Sequence, residues 1–261
     1  MDTRQPRLRV FAGPNGSGKS TVIEYIRKYK ANNKLVDFGY YINADDIATE
    51  LKKKKGFSFK QFDFQVEATE FNQIVSDSGL LNANFNIDNL VTVYQITGNS
   101  IHCLHDKEIE RLAQIIADYL RKNLLKQKKR FSFETVFSHP SKLDIMREAV
   151  LAGYKVYLYY VSTESPEINK FRVQARTVKG GHDVPVDKIV SRYYRALELL
   201  HDAAQLAYQA YFFDNSEEGG DFKMFAHFKI IAGKKAWDEI NETDVPNWFK
   251  IYYSQKVSPK I

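Results

Sequence analysis

The chain has 261 residues, 44% of them hydrophobic and 27% charged, with a formal net charge of +6. This is enough apolar material for one large domain or a domain carrying an insertion, and it excludes a disordered chain. A single cysteine, Cys103, excludes internal disulfides, and with no signal-like segment over Met1 to Arg7 and no apolar run of membrane-span length, a cytoplasmic protein without a membrane partner is expected.

In chain order, Leu8, Val10, Phe11 and Ala12 make a short apolar strand that runs into Gly13-Pro14-Asn15-Gly16-Ser17-Gly18-Lys19-Ser20-Thr21. Val22, Ile23, Ile26 and Tyr29 then recur at helical spacing. Strand, Gly-x-x-x-x-Gly-Lys-Ser and helix in this order predict a phosphate-binding loop. Gly13, Gly16 and Gly18 reach backbone angles closed to other residues and leave no side chain between main chain and anion. The loop amides and the helix N-terminus then surround the phosphates, Lys19 reaches the outer ones, and the Ser20 hydroxyl ligates magnesium. The ligand so predicted is a nucleoside triphosphate with Mg2+.

Tyr40 to Ala44 reads as a second strand, followed by Asp45, Asp46 and a helix carrying Ile47 and Leu51. A carboxylate immediately after a strand can accept the proton of an attacking hydroxyl or hold magnesium through water. Asp45 is assigned that role and Asp46 the helix cap. Residues 56 to 105 break the pattern as an inserted α+β subdomain, with a helix over Phe62 to Ser76 and a hairpin of Leu90 to Thr97 and Ser100 to Leu104 around Gly98-Asn99. Phe57, Phe59, Phe62, Phe64 and Phe71 are expected to form its own small core, and the insertion could cap the substrate. A long helix follows with Ile109, Leu112, Ile116, Leu120 and Leu124 on one stripe. The basic runs Lys52 to Lys55 and Lys126 to Arg130 fall at helix ends, where solvated caps favoured by the helix dipole are expected and nucleic-acid binding is the disfavoured reading.

Phe131 to Val136 is a third strand in which the apolar run gives way to Glu134. A carboxylate there is costly unless paired, so it is expected to meet a substrate hydroxyl, a metal-bound water or a basic side chain. Ser141 to Asp144 resembles a helix-start box, and Gly153 is placed to end that helix. Tyr154 to Val161 and Ala210 to Asp214 are the fourth and fifth strands. Between them, Arg172 and Arg176 share a helix face above the corner Lys179-Gly180-Gly181, the pattern of a lid that delivers arginines to a transferring phosphoryl group. His182 is either a ligand contact or an ordinary loop histidine. Asp214 and Asn215 lie where many nucleotide-binding folds pass the base, although Asp-Asn-Ser is also a common turn. The tail suggests a hairpin over Lys223 to Ile231 and a packing element, Pro246-Asn247-Trp248-Phe249. The expected fold is one α/β domain over residues 1–261 of P-loop NTPase type. It has a mostly parallel five-stranded sheet with helices on both faces, the inserted subdomain and a C-terminal β-hairpin extension over 221–261.

With these residues assembled, the chain resembles the zeta-toxin family of phosphate-loop kinases. The matching stretches are Gly13 to Thr21, Ile42-Asn43-Ala44-Asp45-Asp46-Ile47-Ala48, Phe131-Ser132-Phe133-Glu134-Thr135, and Asn169 to Arg192 with its N-x-x-R-x-x-x-R, Gly-Gly-His and Val-Pro elements. The resemblance implies ATP-dependent phosphorylation of a hydroxyl, in toxin members that of a UDP-linked N-acetylamino sugar. By position, Asp45 resembles the general base, Lys19 and Ser20 the phosphate and magnesium groups, Glu134 the substrate-contacting acid and Arg176, with Arg172, the phosphate-binding arginine. The chain departs from the pattern at His182, where characterised toxins carry a second arginine, and in the insertion, which has no counterpart in the small toxin kinases. The partners implied are ATP, a hydroxyl-bearing anionic small molecule and, in a toxin setting, a protein antitoxin. Two other functions compete: a kinase acting on nucleic-acid ends, and a nucleotide-dependent binding module that transfers no phosphate to a small molecule.

Overall fold

Leu8, Val10, Phe11 and Ala12 of β1 (Arg7–Ala12) are wholly buried, as a strand covered on both faces requires. The computed structural model describes residues 5–31, 33–77, 92–105, 108–181, 183–217 and 221–257. His182 and the first two residues of the expected 90–97 strand lie outside them. The chain divides into two compact units, Met1–Gly39 with Ser132–Ile261, and Tyr40–Phe131.

In the first unit, β1 leads through the loop into α1 (Lys19–Lys28) and a small antiparallel pair, β2 (Lys30–Ala31) and β3 (Lys34–Leu35). The chain returns as β8 (Phe131–Thr135, in this unit from Ser132), α5 (Ser141–Leu151), β9 (Lys155–Ser162), α6 (Pro166–Val178), α7 (Val186–Glu198), α8 (Leu200–Leu206), β10 (Gln209–Asp214), β11 (Lys223–Ile231) and β12 (Lys234–Trp237). The unit's sheet runs β12-β11-β10-β9-β1-β8. β1 pairs parallel with β9 from Arg7↔Lys155 to Ala12↔Tyr160, and β9 pairs parallel with β10 from Gln209↔Tyr157 to Asp214↔Ser162. One sheet face is sealed, since Leu8, Val10, Val156, Leu158, Tyr160, Ala210, Phe212 and Phe228 are all buried and α5 and α8 pack on β9. On the other face Phe11, Tyr159, Tyr211 and His227 stack in sequence across four strands, and Tyr157 and Gln209 stay half-buried.

The C-terminal hairpin differs from expectation. Residues Lys223–Ile231 are one strand, antiparallel to β10, and the turn is Ala232-Gly233 with β12 returning. Left-handed φ at both turn residues is what a tight hairpin between twisted strands demands. Trp248 and Phe249 are buried, as a packing element should be. The start of α5 also differs: Ser141 is the first helical residue, and its N–H meets the ring of His139. Gly153, at φ +86°, does end that helix region.

The second unit holds β4 (Tyr40–Ile42), α2 (Ala44–Lys54), β5 (Gly56–Ser58), α3 (Ala68–Asp77), β6 (Tyr94–Thr97), β7 (Ser100–Cys103) and α4 (Ile109–Lys126). The expected stripe of α4 is buried from Ile109 to Leu124. The expected hairpin forms between β6 and β7, and β5 adds an antiparallel third strand to it. The segment expected to be helical from Phe62 instead makes a single turn at Lys60–Phe62 and begins α3 at Ala68. Its aromatic core is present: Phe57, Phe59, Phe62 and Phe71 are buried, and Tyr119 of α4 meets Phe59, Phe64 and Phe71 at ring separations of 5.6, 6.0 and 5.2 Å. Asn99 in the hairpin turn locks the preceding loop, accepting from the Val66 N–H and donating to the Phe64 carbonyl, both at 2.8 Å. Lys52 to Lys55 and Lys126 to Lys128 are solvent-exposed at helix ends, with Lys52 paired to Glu110 and Lys126 to Glu70, while Lys129 and Arg130 beyond α4 are half-buried.

Candidate active site

The loop after β1 takes the conformation its glycines allow. Gly13, Gly16 and Gly18 have φ of +148°, +78° and +90°, and each is hemmed in from outside. A Cβ on Gly13 would fall 2.0 Å from the Val161 carbonyl oxygen, one on Gly16 2.6 Å from that of Asn169, and one on Gly18 2.0 Å from Asn215 Nδ2. The Ser17 N–H donates to Pro14 O at 3.3 Å, closing the turn, and Gly18 stands as the cap of α1 with its carbonyl accepting from Val22. No acidic residue occupies the first turn of α1, so its positive end is left to an anion.

Lys19 is buried at 8% exposure, donates to Pro14 O at 3.0 Å and lies 3.9 Å from Glu134 Oε1. Of the three partners the sequence offered for Glu134, the structure shows a basic side chain within reach. Ser20 is exposed at the second helical position, beside the buried Ser17, whose hydroxyl has no hydrogen-bond partner. An open hydroxyl, a buried ammonium and a glycine loop packed too closely against its backing for any Cβ fit a magnesium-bound triphosphate.

Two long-range amide bonds brace the loop. Asn169, fully buried on α6, donates from Nδ2 to Asn15 O at 2.7 Å and accepts from the Thr163 hydroxyl. Asn215, just beyond β10, donates from Nδ2 to Ser17 O at 2.9 Å. Arg172, one turn after Asn169, donates to Asn215 O at 2.6 Å and Glu217 O at 2.9 Å. Its fork is therefore committed to the loop after β10. Arg176 is exposed, and the Gly180-Gly181 corner folds back on it, with the Gly181 N–H on Arg176 O at 3.0 Å. Asp214 is tied into the scaffold by Trp248 Nε1 and the Ser216 hydroxyl, at 2.8 and 2.9 Å.

Asp45 belongs to the second unit and is exposed in the first turn of α2. The helix is capped by Asn43, whose Oδ1 accepts from the Asp45 N–H at 2.9 Å. Asp46 is therefore not the cap. Both aspartates lie inside the first turn, where the dipole favours negative charge. The structure thus gathers Gly13 to Thr21, Glu134 and Arg172 in one unit, and sequence reading gave no role to Asn169. Its signal was the N-x-x-R spacing, which puts the amide and the guanidinium on one helical face.

No family model matches the chain. An uncharacterised protein of Haemophilus influenzae is 35% identical over 69 residues, which is 26% of this chain and about half, 49%, of that protein's length. Two solved structures of the AvrRxo1-ORF1:AvrRxo1-ORF2 complex, one with sulphate ions and one with ATP, superpose with a TM-score of 0.52 at 16% identity, over 100% of this chain and 67% of theirs. The likeness shows that the chain shares the α/β fold of these complexes, built on a large, mostly parallel sheet. Among the described residues no helix is long and apolar enough to cross a membrane.

Proposed function

We propose that this chain is an ATP-dependent phosphotransferase that passes the γ-phosphate to a hydroxyl of a small anionic acceptor. The observation that carries the reading is the loop itself: three left-handed glycines backed by packed atoms, with Lys19 buried beside Glu134. Sharing a fold with a complex solved with ATP supports the choice of nucleotide.

In this reading the loop amides and Lys19 hold the triphosphate, and Ser20 is the protein ligand of magnesium. The ion, when bound, neutralises phosphate charge. Asp45 takes the acceptor proton, a role that rests on the family resemblance. Glu134 balances Lys19 and orients polar groups of the substrate. Arg176 supplies positive charge from the lid, while Arg172 is a brace. Little covalent chemistry is required of the protein, because positioning and electrostatics carry most phosphoryl-transfer catalysis.

The acceptor proposed from the resemblance is a UDP-N-acetylamino sugar. A protein antitoxin is a further proposed partner, in keeping with the two-component complexes that share the fold. The test is incubation of the protein with γ-labelled ATP, magnesium and a panel of nucleotide sugars. Label in one sugar supports the reading and names the acceptor. Labelled inorganic phosphate alone, in every reaction, overturns transfer to this acceptor class.

A further inference from the structure

The mechanism above leaves two carboxamides unused, and they share one geometry. Asn169 Nδ2 draws on the carbonyl of Asn15 at 2.7 Å, and Asn215 Nδ2 draws on the carbonyl of Ser17 at 2.9 Å. Both come from outside the loop: the Asn169 backbone backs Gly16 and the Asn215 amide backs Gly18. A trans peptide is planar, so its C=O and the following N–H point in opposite directions. Holding the Asn15 carbonyl against α6 turns the Gly16 N–H to the other side. Holding the Ser17 carbonyl against the loop after β10 does the same for Gly18. The two glycines would otherwise be the loop residues freest to rotate.

We infer that Asn169 and Asn215 are positioning residues that aim the Gly16 and Gly18 amides at the bound phosphates, and that Arg172 holds Asn215 in register. Arg172 completes the circuit, since its guanidinium grips the Asn215 and Glu217 carbonyls from the helix that carries Asn169. The Asn215 N–H is itself fixed on Ser162 O at 2.9 Å, so the Arg172 bond to its carbonyl is the second main-chain hold on this residue. The sequence spacing Asn169-x-x-Arg172 is thus the spacing that lets one helical turn brace the phosphate loop twice, directly and through a neighbouring loop. The inference rests on the reading that this loop holds a triphosphate.

The test follows the Gly16 and Gly18 amide resonances of the isotopically labelled full chain during titration with magnesium-ATP. Wild type is compared with Asn169→Ala, Asn215→Ala and Arg172→Lys. In wild type both amides should move downfield. Asn215→Ala and Arg172→Lys should lose the Gly18 response and keep that of Gly16, with ATP affinity lower by about tenfold, the scale of one misaligned hydrogen bond to a charged group. Asn169→Ala should show the reverse pattern. Should that variant, altered at a fully buried position, fail to fold, the other two carry the test. Both responses unchanged in Asn215→Ala and Arg172→Lys would overturn the positioning role alone. Wild-type amides that ignore ATP would overturn the phosphate-binding reading itself.

Discussion

Lys19 stands 3.9 Å from Glu134 while donating to the carbonyl of Pro14 at 3.0 Å. The ammonium is thus held by its own loop and balanced by a carboxylate one strand away, in a setting with 8% and 15% of the two side chains exposed. Removing either charge takes an opposite charge away from the other in a partly buried setting, where that loss counts for more than in water. Lys19→Ala is expected to lower ATP affinity by about a hundredfold, the scale of a lost charged contact, as read by titration calorimetry.

Glu134→Gln keeps the shape and removes the charge. Phosphoryl transfer should fall by roughly 10²-fold, the range for loss of one positioned catalytic polar group. ATP affinity should hold or rise, because Lys19 loses a competing anion. Equal losses in affinity and turnover would contradict this role.

Asp45→Asn should reduce transfer by about 10²–10⁴-fold, the usual contribution of general-base catalysis, with ATP binding spared. Asn43→Ala, two residues earlier, tests a different property: it removes the acceptor for the Asp45 N–H and should cost about 1 kcal/mol of stability, measured by denaturant unfolding.

The glycines differ in what surrounds them. Gly13→Ala would drive a Cβ to 2.0 Å from a backbone oxygen, Val161 O, whereas Gly180 has nothing within 4 Å of the added carbon. Gly180→Ala should therefore cost only the left-handed strain of about 1–2 kcal/mol. Gly13→Ala should cost at least about 3 kcal/mol, as overpacking adds to strain. Paired thermal melts would separate the two.

Burial lowers the Lys235 ammonium to about 8, although its hydrogen bonds to Gln205 and Tyr253 partly offset the loss of water. The unfolded chain then binds more protons than the folded one between about pH 8 and the ordinary lysine range. This group's contribution to stability should accordingly rise with pH across that window. The rise should disappear in Lys235→Met, seen as a flatter dependence of the melting temperature on pH between 8 and 10.

Much of this arrangement was legible in the residues because its signals are local. The five strands, the Gly-rich turn, the stripe of α4 and the phenylalanine core each announce themselves within a short window of sequence. What stayed hidden depends on distance or on competition. Asn169 reaches a carbonyl 154 positions away, and nothing in its neighbourhood says which carbonyl. Arg172 sits on the expected helix face, yet spacing cannot reveal that two main-chain oxygens already hold its fork. Asn43 outcompetes Asp46 as cap because the helix starts earlier than a pair of acids suggests. Three-residue β5 is too short for any alternation to show.

Tyr119 has one further consequence. The helix that bears it contributes a ring to the cluster of Phe59, Phe64 and Phe71, so the segment after Lys55 is no detachable ornament. Excising it would strip the aromatic lining from one flank of α4 and leave that flank bare to solvent. Any shorter version of this protein would have to rewrite helix and loop together.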